Sequence, residues 1–113
     1  MSPNTDVVDL PDPDHISVVV EDIDETAEFL SSTLGIVFYE ISRNLVYDKV
    51  TVGHPLSIHA THSKLGPIKF ELLQPLEEDP FLGQFLRTKG EGLHHICFRL
   101  SNWDEAVSKL QRQ

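Results

Sequence analysis

Along the chain the first regular signal is His15–Val20, where Ile16, Val18 and Val20 alternate with His15, Ser17 and Val19. A period of two predicts a short strand with its aliphatic set on one face. From Ile23 the period lengthens, and Ile23, Ala27, Leu30 and Leu34 form an apolar stripe at helical spacing. Asp22 stands as N-cap with Glu25 three residues on, and Gly35 falls where a C-terminal cap glycine belongs. Strands are then expected over 36–42, 56–62 and 68–73, with an edge or loop around Val50 to Val52 and a turn at Gly66-Pro67. Asp79-Pro80 offers a cap and a first-turn proline to a short helix over 81–86, apolar along Phe81, Leu82, Phe85 and Leu86. Gly90 and Gly92 break the chain before a strand over 94–100, and a helix is expected from Asn102 to Gln113.

The pattern repeats. Shifted by 80 positions, His15 falls on His95, Ile16 on Ile96, Asp22 on Asn102, Asp24 on Asp104, Glu25 on Glu105 and Leu30 on Leu110. Matches on equivalent structural roles, rather than on scattered residues, indicate two copies of one module. The first copy reads strand–helix–strand–strand–strand and ends near Pro75, so a full second copy would end at about position 155. The expected class is therefore α+β: paired βαβββ modules, the second truncated after its first strand and helix. The expected division is an acidic, disordered tail over 1–13 and a single domain over 14–113. Within that domain, 14–76 form the first module, 77–91 a linker with the short helix, and 92–113 the start of the second. Such a chain leaves sheet edges without partners, which makes oligomerisation, a homodimer first, the expectation.

Composition narrows the functional classes. A net charge of −9 argues against nucleic acid and anionic membrane surfaces, which call for a basic footprint. No apolar run approaches the length of a membrane span, and the start lacks the basic and apolar regions of a signal peptide. Cys97 is the single cysteine, so no intrachain disulfide exists and a reducing, cytoplasmic setting is expected.

Candidate chemistry lies in the histidines. If Ile16, Val18 and Val20 pack under the first helix, and Ile96, Phe98 and Leu100 under the second, then His15, Ser17 and Val19 line the other, concave surface with His95, Cys97 and Arg99. Glu71 alternates with Ile68, Phe70 and Leu72 and falls on the same side. Two imidazoles and a carboxylate from three strands can ligate a borderline divalent ion. The alternative is a pair of hydrogen-bonded histidines and an edge carboxylate, the reading given to His54, His59, His62 and His94 as well.

The segment Asp14-His-Ile-Ser-Val-Val-Val20 with its helix and Leu34-Gly35 resembles the first module of vicinal-oxygen-chelate (glyoxalase-like) proteins. Phe70-Glu-Leu-Leu-Gln-Pro-Leu76 and Gly92-Leu-His-His-Ile-Cys-Phe98 resemble the methylmalonyl-CoA epimerases within that superfamily. The resemblance covers residues 14 to 112. It implies a cup holding a divalent metal (cobalt, manganese, nickel, zinc or iron) on His15, Glu71 and His95. It further implies a fourth ligand on a final strand, at about position 151, beyond this sequence. The implied reaction is proton transfer next to a carbonyl through a metal-stabilised enolate, on an acyl-CoA-like substrate. The family's catalytic glutamate on the third strand has no clear counterpart over 56–62, where His59 is the candidate stand-in. These 113 residues alone are accordingly expected to be inactive and to bind metal weakly. A glyoxalase I-type lyase and a non-catalytic small-molecule-binding protein of the same superfamily are the competing readings.

Overall fold

The structure is a computed structural model that describes residues 7–47, 56–76 and 79–113. The expected edge or loop around Val50 to Val52, and His54, lie outside the described residues. The elements run β1 (His15–Val19), α1 (Ile23–Leu34), β2 (Ser42–Tyr47), β3 (Leu56–Leu65), β4 (Ile68–Pro75), α2 (Leu82–Lys89), β5 (Gly92–Cys97) and α3 (Trp103–Gln111). Five strands form one mixed sheet in the order β2-β3-β4-β1-β5, with β1 parallel to β4 and the other neighbours antiparallel. This is the glyoxalase-like α+β arrangement: a βαβββ module followed by the first strand and helix of another.

Local chemistry explains the best-defined ends. The Asp22 carboxylate accepts from the Glu25 N–H at 3.0 Å. Gly35 closes α1 in the left-handed region at φ 69°, with its N–H donating to Ser31 O and the Ile36 N–H donating to Leu30 O. The Gly35 bond is the five-to-one contact of a left-handed cap, and together with the Ile36 bond it satisfies carbonyls that a helix end otherwise leaves open. Asp79 sits deep in the fold, 1 % exposed, and its two oxygens accept from the N–H groups of Phe81, Leu82 and Ser57. One side chain thus starts α2 and ties it to β3.

The sheet is packed on both faces. Val20, Ile23 and Leu72, with Val18, Ala27, Phe38, Ile41 and Phe70, form the core under α1. Val19, Ile58, Ala60 and Leu73 meet Leu82, Phe85 and Leu86 of α2 on the opposite face. Val19, expected to line an open surface, is instead fully buried under α2.

Four further expectations are corrected. Regular pairing of the second strand begins at Ser42 rather than Ile36, because Phe38 and Ile41 dip into the α1 core; before it, Tyr39 meets β3, its N–H donating to His62 O and its carbonyl accepting from Thr61 Oγ1. The fifth strand ends at Cys97 rather than Leu100, since its partner β1 starts at His15, opposite Cys97, and Phe98 has nothing further to pair with. Ile96, expected under the second helix, is half exposed. The short second helix runs over Leu82–Lys89 rather than 81–86.

Candidate metal centre

The repeat has a geometric meaning in the sheet. β1 and β5 run antiparallel with Ile16 opposite Ile96, the two positions that the 80-residue shift superposes. The strands are therefore related by a local twofold at that pair, which brings His15 and His95 to one face from opposite directions. Their ring centroids lie 5.5 Å apart, edge to face. Glu71 arrives from β4 because it pairs with Ser17, and Ser17 pairs with His95. Ligand atoms of His15, Glu71 and His95 all lie within 4.8 Å of one another. The three candidate ligands named from the sequence are thus brought together on the face opposite α1.

Each first-line group is itself held. The His15 Nδ1 is 2.8 Å from an Asp14 carboxylate oxygen, and its Nε2 is 3.9 Å from Glu71 Oε1. Buried Ser17 donates from Oγ to that same Glu71 oxygen at 2.6 Å. The Arg99 guanidinium lies 3.0 Å from the other Asp14 oxygen. The hydrogen bond with His15 lowers the Asp14 pKa, burial opposes this, and Arg99 adds to the lowering, so Asp14 is ionised as an anchor for His15. Burial likewise lowers His95, with contributions from neighbouring His94 and His15, while Glu71 opposes them. A ligating imidazole must be neutral, and burial favours that form.

This donor set fits a divalent ion. Ligand atoms around one ion with bonds of about 2.1 Å sit roughly 3 to 4 Å apart, comparable with the 3.9 Å between His15 Nε2 and Glu71 Oε1. A hydrogen-bonded Nδ1 with a directed Nε2 is the usual posture of a metal-ligating histidine. A second group, Asp14, His15 and Cys97, lies within the same 4.8 Å limit but shares His15, and its Asp14 is already committed to Arg99.

His59 is not brought to this cluster. Strand alternation sends Ile58 and Ala60 toward α2, so His59 faces α1, where its Nδ1 accepts from the Asn44 N–H at 3.0 Å. The β3 histidine that shares the cluster's face is His62, opposite Glu71 in the register and packed on the Tyr39 ring at 4.6 Å. Tyr39, His62, Glu71, Ser17 and His95 accordingly form one polar row across five chain segments. The sequence reading set His62 and His94 aside. The register opposite Glu71 would have singled out His62, but strand register is not visible before the pairing is known.

A five-stranded sheet built as a βαβββ module plus the opening of its repeat, with two histidines and a carboxylate on one face, defines a glyoxalase-like protein. The chain belongs to the Glyoxalase/Bleomycin resistance protein/Dioxygenase superfamily, whose family model matches residues 14–113. Among curated relatives, uncharacterized protein YqjC of Bacillus subtilis (strain 168) is 30% identical over 100 residues, covering 88% of this chain and 65% of that protein. The mitochondrial methylmalonyl-CoA epimerase of Homo sapiens is 31% identical over 103 residues, covering 88% of this chain and 52% of that enzyme. The chain thus spans from about half to two thirds of the length of these relatives. Among solved structures, a Streptomyces coelicolor methylmalonyl-CoA epimerase in complex with 2-nitronate-propionyl-CoA superposes with a TM-score of 0.70 at 26% identity. It covers 92% of this chain and 72% of that one. Among the described residues no helix is long and apolar enough to cross a membrane.

Proposed function

We propose that the protein is a divalent-metal protein of the epimerase or isomerase type, acting by proton transfer next to a carbonyl of an acyl-CoA-like substrate. The observation that carries this reading is the convergence of His15, Glu71 and His95, with each imidazole held at one nitrogen. The likeness to methylmalonyl-CoA epimerases in sequence and fold supports the substrate class. In this reading His15, Glu71 and His95 hold the ion, Asp14 fixes the tautomer of His15, and Ser17 orients the Glu71 carboxylate. A divalent ion there supplies a positive charge against which carbonyl oxygens can develop negative charge. Of the β3 histidines, His62 faces the cluster, and a proton acceptor is assigned to it rather than to His59. α2 covers the Val19–Leu73 end of this face, so substrate would lie over the His62–Glu71 end.

A binding role without catalysis is the second reading, favoured by one observation: His59, the residue expected to replace the family's β3 glutamate, faces α1. Metal analysis of the purified protein beside the His15→Ala/His95→Ala variant tests the site. Loaded with excess divalent metal, the wild type is expected to retain it weakly but measurably and the variant not at all; a well-folded wild type free of metal after loading would sink the metal reading. Solvent deuterium exchange at the α-carbon of an added acyl-CoA then separates the two functions. Exchange lost in His62→Ala supports catalysis, and binding without exchange supports sequestration.

A further inference from the structure

We infer that His94 is a positioning residue for the His95 ligand, the counterpart in the second module of Asp14 in the first. The inference rests on the metal reading above. Adjacent residues of a regular strand point to opposite faces, so His94 and His95 should part company. They do not, because the β1–β5 register shifts: Ser17 pairs with His95 and Val18 with Leu93, leaving His94 as the extra, unpaired residue of a bulge. The bulge turns His94 toward α2, where its ring stands edge-on to Phe81 at 5.4 Å and to Phe85 at 4.8 Å. There its Nδ1 comes within 3.0 Å of the His95 Nδ1.

A hydrogen bond between two neutral imidazoles needs one donor and one acceptor, and each neutral ring carries a single N–H. If His95 donates from Nδ1, its Nε2 keeps a lone pair for the cluster with His15 and Glu71. If His94 donates, the only proton of His95 moves to Nε2 and the ring is lost as a ligand. The first arrangement is the one compatible with the cluster. It is also the arrangement at His15, whose Nδ1 is engaged by Asp14 while Nε2 faces Glu71. Asp14 and His94 are themselves 80 positions apart, the period of the repeat. Both modules thus place the holder of the ligand's Nδ1 immediately before the ligand, as a carboxylate in one and as an imidazole clamped by two phenylalanines in the other.

Nitrogen-resolved NMR of the histidine side chains, combined with cobalt(II) titration, tests this on the wild type, His94→Phe and His94→Asn. Phe fills the aromatic slot without an acceptor, whereas the Asn carbonyl offers one close to the Nδ1 position. In metal-free wild type His95 is expected as the Nδ1–H tautomer, and His94→Phe should shift it toward Nε2–H. Cobalt affinity should fall about 10- to 100-fold in His94→Phe and recover to within a few-fold in His94→Asn, with folding checked by the thermal midpoint of each. His94→Phe that binds cobalt as tightly as wild type, with the tautomer unchanged, overturns the inference. A wild type that binds no cobalt would defeat the metal reading instead. The tautomer of its His95 still decides this inference, since an Nε2–H ring overturns it and an Nδ1–H ring upholds it.

Discussion

At the scale of single residues, burial and hydrogen bonding turn ordinary polar groups into a candidate site. Ser17 is fully buried yet satisfied, because its hydroxyl has the Glu71 carboxylate to donate to. Burial lowers the pKa of His95 below its ordinary 6.5 and does the same to His94. A base whose folded pKa is depressed takes up its proton more readily when unfolded. Stability from this source is therefore complete above the ordinary value and lost as pH falls below it. The unfolding midpoint of the metal-free protein should accordingly drop between about pH 7.5 and about pH 5, and the drop should shrink in His95→Gln. A midpoint equally steep in that variant would place the titration elsewhere. His15 and His95 were legible as a pair because the repeat set them in one register. Glu71 was legible from strand alternation. The roles of Asp14, His62 and His94 were not, since each depends on which strand lies alongside and on where the bulge falls.

At the scale of elements, ends are decided by caps and partners more than by apolar period. α1 obeyed its sequence signals at both ends, Asp22 and Gly35, because those caps act within a few residues of chain. β5 stopped three residues early because strand length depends on a neighbour, and β1 offers none past His15. Asp79 combines both kinds of control, capping α2 and holding the Ser57 N–H of β3. Replacing it with Ala leaves three backbone N–H groups without their acceptor in a buried place, at a cost of about 2–3 kcal/mol. Urea unfolding measures this directly. A loss below about 0.5 kcal/mol, the scale of a neutral surface change, would mean that water replaces the carboxylate at no cost.

At the scale of the whole molecule, the sheet has two edges, and β5 is one of them. Leu93 and Ile96 on the α1 side of β5 are 57% and 50% exposed, and Trp103 of α3 is 67% exposed. Apolar surface beside an open strand edge favours association, which is the physical basis for proposing a homodimer. Native mass spectrometry is expected to show twice the chain mass of 12.8 kDa, shifting toward monomer in Ile96→Lys. A monomer at every concentration would reject it.

The α+β class, the repeat of 80 residues, the α1 caps and the candidacy of His15, Glu71 and His95 could all be read along the chain. All of these follow from short-range period and from internal comparison along one chain. Three outcomes waited on the folded chain: α2 covers the Val19 end of the site face, His59 faces α1 while His62 faces Glu71, and a bulge turns His94 onto the ring of His95. Those outcomes depend on strand register and on helix docking. Both are set by pairing and packing between residues distant in the chain, where a shift of a single position moves a side chain to the opposite face.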